Sequence, residues 1–331
     1  VEPLLNFPLV AARAIHFVST AQLAGILMFG CVVAGPALRK HPEAALPGLA
    51  ACRSRLLVMA GGCLALTIVS AAAWLLLLSA QITESSPAQV LSDGTATTLL
   101  AHTRFGHDWQ VRTALALALA AILPGLARAD WARVPGRLPC GQRVVIAAAL
   151  SAGLLGTLAW AGHAGAAPGP KGDLHLVSDV LHLVAAGAWI GGLVPLALLL
   201  STARRNPGPA WMAVAREATR RFSTVGVAAV GTLTLTGLIN TWALVDTLRD
   251  LVATLYGQIL LLKVALFLAM LAIAAVNRLR LTPRLDSSTG PLAALDTLRV
   301  LRVNCLAETA LGFGVLLAVS ALGTLAPGMQ M

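Results

Sequence analysis

The sequence predicts an all-α polytopic membrane protein, on three observations. Its 331 residues are 57% hydrophobic and only 11% charged, against roughly 25% charged residues in soluble domains. Apolar stretches of about 20 residues, enough to cross a bilayer, recur along the whole length. Finally, 18 of the 24 Lys and Arg fall in four alternate connections between those stretches, 36–55, 128–143, 201–221 and 278–302.

Eight spans follow in order, near 9–35, 56–80, 109–127, 144–162, 175–200, 222–245, 257–277 and 303–325. The first is too long for a removable signal peptide and is read as a retained span. The basic connections are the positive-inside bias, which puts those four connections in the cytoplasm and both termini outside. The net charge of +10 is therefore a topology signal; a nucleic-acid surface would gather its charge on one face of a soluble domain. The outer connection 81–108 is too short for a domain with its own core. The chain also lacks a nucleotide-binding loop, which excludes an ATP-driven pump within this sequence.

The chain repeats itself. His16-Phe17-Val18 with Gly25 and Leu27 aligns with His182-Leu183-Val184, Gly191 and Leu193 at an offset of 166. Gly156-Thr157-Leu158-Ala159 recurs as Gly323-Thr324-Leu325-Ala326 at an offset of 167, and Arg112 aligns with Lys263 at 151. Two four-helix units are expected, 1–165 and 166–331, related by an axis along the membrane normal because each has an even number of spans.

Ligand-type residues segregate along this topology. His16, His102, His107, His163, His175 and His182 fall in the outer half or outer loops, and only His41 is cytoplasmic. Cys31, Cys52, Cys63, Cys140 and Cys305 all lie inside. The cysteines lack the CxxC spacing of a closed zinc site and offer no outer disulfide. Cys31, Cys63 and Cys305 with Met28 and Met59 are read either as a soft inner exit or as small apolar packing.

The fifth span carries His175, Asp179 and His182 at i, i+4 and i+7, on one helix face, with His182 about 10 Å below the outer end. His16 reaches a similar depth in the first span. His163 closes the fourth span, and the repeat brings the tail with Met329 and Met331 near the same place. Imidazole with thioether suits copper, as Cu(I) or Cu(II). Asp179 is read either as a direct ligand or as the group fixing an imidazole's tautomer. The expected metal site is thus His16 and His182 approaching each other between the units, with His163, Asp179, His175, Met329 and Met331 as further participants. A lone membrane histidine also serves as a helix–helix hydrogen-bond donor, but a pair at matched depth marks a functional path. His102 and His107 are read as solvated. Lys263 either snorkels outward or pairs with Asp179, while Asn240 and Thr236 bond between helices.

These residues also carry a family resemblance. The run from His182 through Gly187, Trp189, Gly191 and Gly192 to Pro195 resembles the copper resistance protein D family (CopD, PcoD) of bacterial inner-membrane proteins. So do Arg221-Phe222-Ser223, Thr236-Gly237-Leu238-Ile239-Asn240 and Tyr256-Gly257 with Lys263. Asn277-Arg278 with Pro283, Glu308 with Gly312, Leu322-Gly323-Thr324-Leu325 and Trp160-Ala161-Gly162-His163 complete the likeness. It is dense over about 145–327 and looser over 1–144. The resemblance implies copper homeostasis, namely uptake from periplasm to cytoplasm, beside a separate periplasmic CopC-like copper-binding protein. Copper handling of this kind is read as non-enzymatic unless a haem alternative holds.

Two other readings use the same residues. Two histidines at one depth are what bis-imidazole ligation of haem b needs, which would make the chain a redox protein. A copper sensor or scaffold would bind without transporting.

Overall fold

A computed structural model describes residues 6–41, 46–128, 140–161, 169–244, 250–287 and 290–325. Every regular element among them is helical. α1 (Phe7–Phe29) runs through a π-helical turn (Gly30–Ala34) into α2 (Gly35–Arg39). It is followed by α3 (Leu49–Ile82), the short α4 (Pro87–Ser92) and α5 (Thr95–His102), and α6 (Arg104–Arg128). α7 (Cys140–Gly156) ends in a 3-10 turn (Thr157–Ala161). Then come α8 (Pro170–Arg205), α9 (Pro209–Leu244), the short α10 (Asp250–Ala253) and α11 (Leu255–Val276). A second π-helical turn (Asn277–Leu281) leads to α12 (Thr282–Ser287), and α13 (Pro291–Leu322) closes the bundle.

The protein is an all-α polytopic membrane protein. Eight helices among the described residues are long and apolar enough to cross a bilayer, at Phe7–Arg39, Leu49–Ile82, Gly106–Leu126, Gly141–Ala161, Lys171–Arg205, Pro209–Thr241, Leu255–Ser287 and Leu292–Leu322. Each lies where the hydropathy of the sequence puts one. Most run longer than expected, because the described parts of the basic connections are largely helical: Arg204 and Arg205 extend α8, while Arg216, Arg220 and Arg221 lie on α9. An isolated α-helix satisfies its own backbone, so nothing forces it to stop at the bilayer surface.

Local signals set the helix starts. Asn6 accepts from Leu9 N–H at 3.2 Å to cap α1. Ser86 and Gln89 form a reciprocal capping box on α4. Thr254 caps α11 through the N–H of Gly257 at 3.0 Å.

Described parts of three basic connections gather at one end of the bundle, beside the end of α6. Lys40 Nζ is 2.9 Å from Glu217 Oε2, and Trp211 Nε1 donates to Pro47 O at 2.9 Å. Arg220 Nε lies 3.0 Å from Asp286 Oδ2, and Arg53 Nη2 donates to Leu126 O. These contacts join the chain around 40–53, 126, 211–220 and 286, which the charge pattern alone groups together.

α1 and α8 form the centre. α1 packs on α3, α7, α8 and α13, and α8 on α1, α9 and α13. They cross at Gly25 and Gly191, where a Cβ on Gly25 would collide with the Gly191 backbone and one on Gly191 with the carbonyl of Ala21. Ala21 and Gly25 on one helix, with Gly187 and Gly191 on the other, make the small-residue seam that lets membrane helices approach. At the periphery, α11 leaves Leu261, Leu262, Val264 and Leu268 exposed, as lipid contact requires.

Towards the arginine-rich end, Asn277 bridges two helices. Its Nδ2 donates to Glu308 Oε1 at 2.7 Å, and Asn304 Nδ2 donates to Asn277 Oδ1 at 2.7 Å. Thr282 Oγ1 donates to Asn277 O at 2.8 Å within the π-helical turn. The buried Glu308 thus meets an amide. Met28, Cys31, Met59 and Cys63 pack against an apolar cluster that includes Leu27, Ala60 and Leu64, and Cys305 belongs to the main core.

Candidate metal site

His16 sits nine residues beyond the first residue of α1 and is 1% exposed. Its Nδ1 lies 3.1 Å from Thr67 O and 3.1 Å from Ser70 Oγ, both on α3. A carbonyl only accepts, so in the neutral ring Nδ1 carries the hydrogen and Nε2 keeps the lone pair. That Nε2 is buried and has no hydrogen-bond partner.

His182 repeats the arrangement on α8. Its Nδ1 is 2.8 Å from Thr236 Oγ1 on α9. The Thr236 hydroxyl spends its own hydrogen on Thr232 O at 2.6 Å, so it accepts from Nδ1–H, and Nε2 again keeps the lone pair. In each case the hydroxyl partner stands 54 residues further along the chain. An imidazole whose other nitrogen is anchored in this way is oriented for metal ligation through Nε2.

The surroundings of the two rings differ in charge. Asp179, one turn before His182, accepts from Asn240 Nδ2 at 2.5 Å, and Lys263 lies within electrostatic range of both Asp179 and His182. Asn240 and Thr236 therefore bond between helices, as expected. Around His16 the groups are cationic or aromatic. Trp74 meets the His16 ring edge-on at 5.4 Å between centroids. The guanidinium carbons of Arg13 and Arg112 lie 4.7 Å and 5.4 Å from the same indole.

The two imidazoles are engaged by different helices, His16 by α3 and His182 by α9. Nine residues separate His16 from Gly25, and His182 from Gly191. At 3.6 residues per turn this is about two and a half turns, so each histidine stands on the side of its helix away from the α1–α8 crossing. Among the described contacts each imidazole is hydrogen-bonded to its own neighbouring helix, His16 to α3 and His182 to α9. His175, Asp179 and His182 do share α8, and His175 is buried. Yet no group of three or more His, Cys, Asp or Glu among the described residues is assembled to hold a metal ion. His163, Met329 and Met331 lie outside the described residues. His102 and His107 are exposed, His102 at the end of α5 and His107 in the first turn of α6.

Sequence reasoning passed over Arg13, Trp74, Trp109 and Arg112. The signal was present in the repeat: Arg13 precedes His16 by three residues as Asp179 precedes His182, and Trp74 aligns with Asn240 at the same offset of 166.

Comparison with known proteins gives consistent matches. A family model described as copper resistance protein D matches residues 216–322. A second, described as copper resistance protein D-like, N-terminal domain, matches residues 4–173. The likeness thus extends through the part of the chain where the motifs are loose. Copper resistance protein D of Pseudomonas syringae pv. tomato is 29% identical over 70% of this chain and 72% of its own length. Copper transport protein CutJ of Bacillus subtilis (strain 168) is 38% identical over 38% of this chain and 22% of its own length. Inner membrane protein YebZ of Escherichia coli (strain K12) is 28% identical over 98% of this chain and 100% of its own length. No solved structure matches the chain.

Proposed function

This chain belongs to the copper resistance protein D family, and from that premise we propose that it carries copper from the periplasm inward across a bacterial inner membrane. The observation that carries this reading is the pairing of an anchored imidazole with a carboxylate on one helix face. Thr236 fixes His182 with Nε2 as the ligating atom, and Asp179 stands one turn away. His175, His163, Met329 and Met331 are the groups proposed to complete the coordination or feed it. His16 offers the same tautomer, but Arg13 and Arg112 beside Trp74 oppose a cation there, whereas Asp179 offsets Lys263 beside His182, so His182 is the preferred copper ligand of the two.

The chain is read as two four-helix units, 1–165 and 166–331. The 54-residue spacing common to His16–Ser70 and His182–Thr236, and the Gly25–Gly191 contact, support that reading. The gathering of three of the basic connections at one end supports a cytoplasmic position for that end and periplasmic termini. Imidazoles outside and thiols inside form a gradient of increasing softness suited to inward movement. The membrane potential supplies about 2.3 kcal/mol per charge per 100 mV for a cation moving in that direction. A separate periplasmic copper-binding protein of the CopC type is the proposed donor. On this reading the protein is a transporter without catalytic activity.

The test compares cytoplasmic copper in cells expressing the wild type and His182→Ala, alongside copper binding by the purified proteins. Wild type is expected to raise cytoplasmic copper and to bind it stoichiometrically, and His182→Ala to lose both. Wild-type behaviour of the variant, or a Soret band in the purified protein, sinks the proposal. Binding without accumulation favours a sensor or scaffold.

A further inference from the structure

Arg13 and Arg112 are two buried cations without an ion-pairing carboxylate among the described residues. They are 5% and 3% exposed and lie within about two turns of the N-terminal ends of α1 and α6. Asp108, one turn before Arg112, is within electrostatic range of it, but no carboxylate among the described residues reaches either guanidinium. An uncompensated charge buried in a membrane bundle is strongly unfavourable, and such groups mark functional sites.

Their hydrogen bonding is incomplete as well. Arg112 donates from Nε to Thr157 Oγ1 at 3.2 Å and from Nη2 to Thr157 O at 2.8 Å, at the end of α7. Its Nη1 is buried without a partner. Arg13 packs its Nη2 against Gly323 at the end of α13, and its Nε is likewise buried and unpartnered. Lying beside two helix C-termini suits cations but leaves these N–H groups unused. Stacking on Trp74, and of Arg112 on Trp109 at 5.0 Å, is attractive but satisfies no N–H either. Trp74 Nε1 and His16 Nε2 complete the set of buried orphan atoms in the cluster.

We propose that Arg13, Arg112, Trp74 and His16 form a binding site for a phosphate-type oxyanion that also carries a hydroxyl. Arg13 Nε, Arg112 Nη1 and Trp74 Nε1 are donors for the anionic oxygens. His16 Nε2, unprotonated in the tautomer fixed by Thr67, accepts from the hydroxyl. Monohydrogen phosphate has this chemistry, and so does the phosphodiester of an anionic lipid with a glycerol headgroup. The second half supplies a carboxylate, Asp179, held by Asn240; in the first half the aligned position is Arg13, and Asp108 forms no ion pair with either guanidinium, so the proposed anion comes from outside the chain. The proposal stands on these residues and does not depend on copper.

Two arms distinguish the sources. Purified protein in nanodiscs of phosphatidylglycerol or of phosphatidylcholine is examined by native mass spectrometry for retained lipid. Delipidated protein in detergent is titrated with inorganic phosphate while its Tm is followed. A single phosphatidylglycerol surviving delipidation identifies the lipid; a saturable rise in Tm with phosphate identifies the free anion. Arg13→Gln and Arg112→Gln are expected to weaken whichever is found at least tenfold. Trp74→Phe, which keeps a ring and removes only the indole N–H, should weaken it less. If the arginine variants do not fold, the wild-type arms and Trp74→Phe decide. Wild type that retains no lipid and shows no phosphate-dependent Tm overturns the site, as does unchanged affinity in the variants that fold.

Discussion

Gly25 and Gly191 lie backbone against backbone where α1 crosses α8. The approach is close enough that no other residue fits at either position without parting the helices. Since α1 and α8 each pack on several other spans, parting them disturbs the whole bundle.

Gly25→Ala and Gly191→Ala should therefore destabilise the protein by about 1–3 kcal/mol, as overpacking does. Gly61→Ala, where an added Cβ meets nothing within 4 Å, should be neutral or slightly stabilising through helix propensity. Thermal unfolding in one detergent compares the three. Equal melting temperatures would mean that the crossing is not tightly packed in the membrane.

Thr236→Val should lower copper affinity about 10- to 100-fold, the usual effect of removing a group that orients a metal-binding imidazole. Val keeps the shape and deletes only the hydroxyl that accepts from His182 Nδ1–H. Thr236→Ser restores the acceptor and should stay near wild type. Competition titration against a chelator reads both, and indistinguishable affinities would remove Thr236 from the site.

Glu308→Ala should cost about 1–3 kcal/mol, because it leaves the Asn277 amide without its buried acceptor. Glu308→Gln retains an oxygen for that bond and should be milder. Denaturation in mixed micelles orders the two variants; the reverse order would show that the carboxylate charge, not its hydrogen bond to Asn277 at 2.7 Å, matters there.

Single cysteines placed at Ser92 and Ser287, in a background with the natural cysteines removed, test orientation. Both positions are exposed, Ser92 at the end of α4 and Ser287 at the end of α12. A membrane-impermeant thiol reagent is expected to reach Ser92→Cys in spheroplasts, and Ser287→Cys only after lysis. The opposite pattern would invert the proposed topology and with it the inward direction.

The candidate site was half legible in the sequence. His16 and His182 stood out because the repeat marks them, and Asp179 because it shares a face with His182 at a spacing that helical geometry makes readable. Arg13, Trp74 and Arg112 come from three different spans, and nothing local in the chain says that they meet. The mutual approach of the two histidines was expected from their equivalent depth. Depth, however, follows from counting residues, whereas facing depends on which side of α1 and α8 packs on which neighbour.

By itself, the sequence determined the class, the eight spans and the grouping of the basic connections, because hydropathy and charge act locally along the chain. Tertiary structure alone decided which side of each span faces protein. Lipid tails and a packed interior are equally apolar, so these helices carry no strong amphipathic stripe to announce their orientation. Only the fit of small residues such as Gly25 against Gly191, and the need to pair buried polar groups such as His182 with Thr236, sets the rotation of each helix. That rotation turned His16 towards Ser70 and His182 towards Thr236, and put two arginines around one tryptophan.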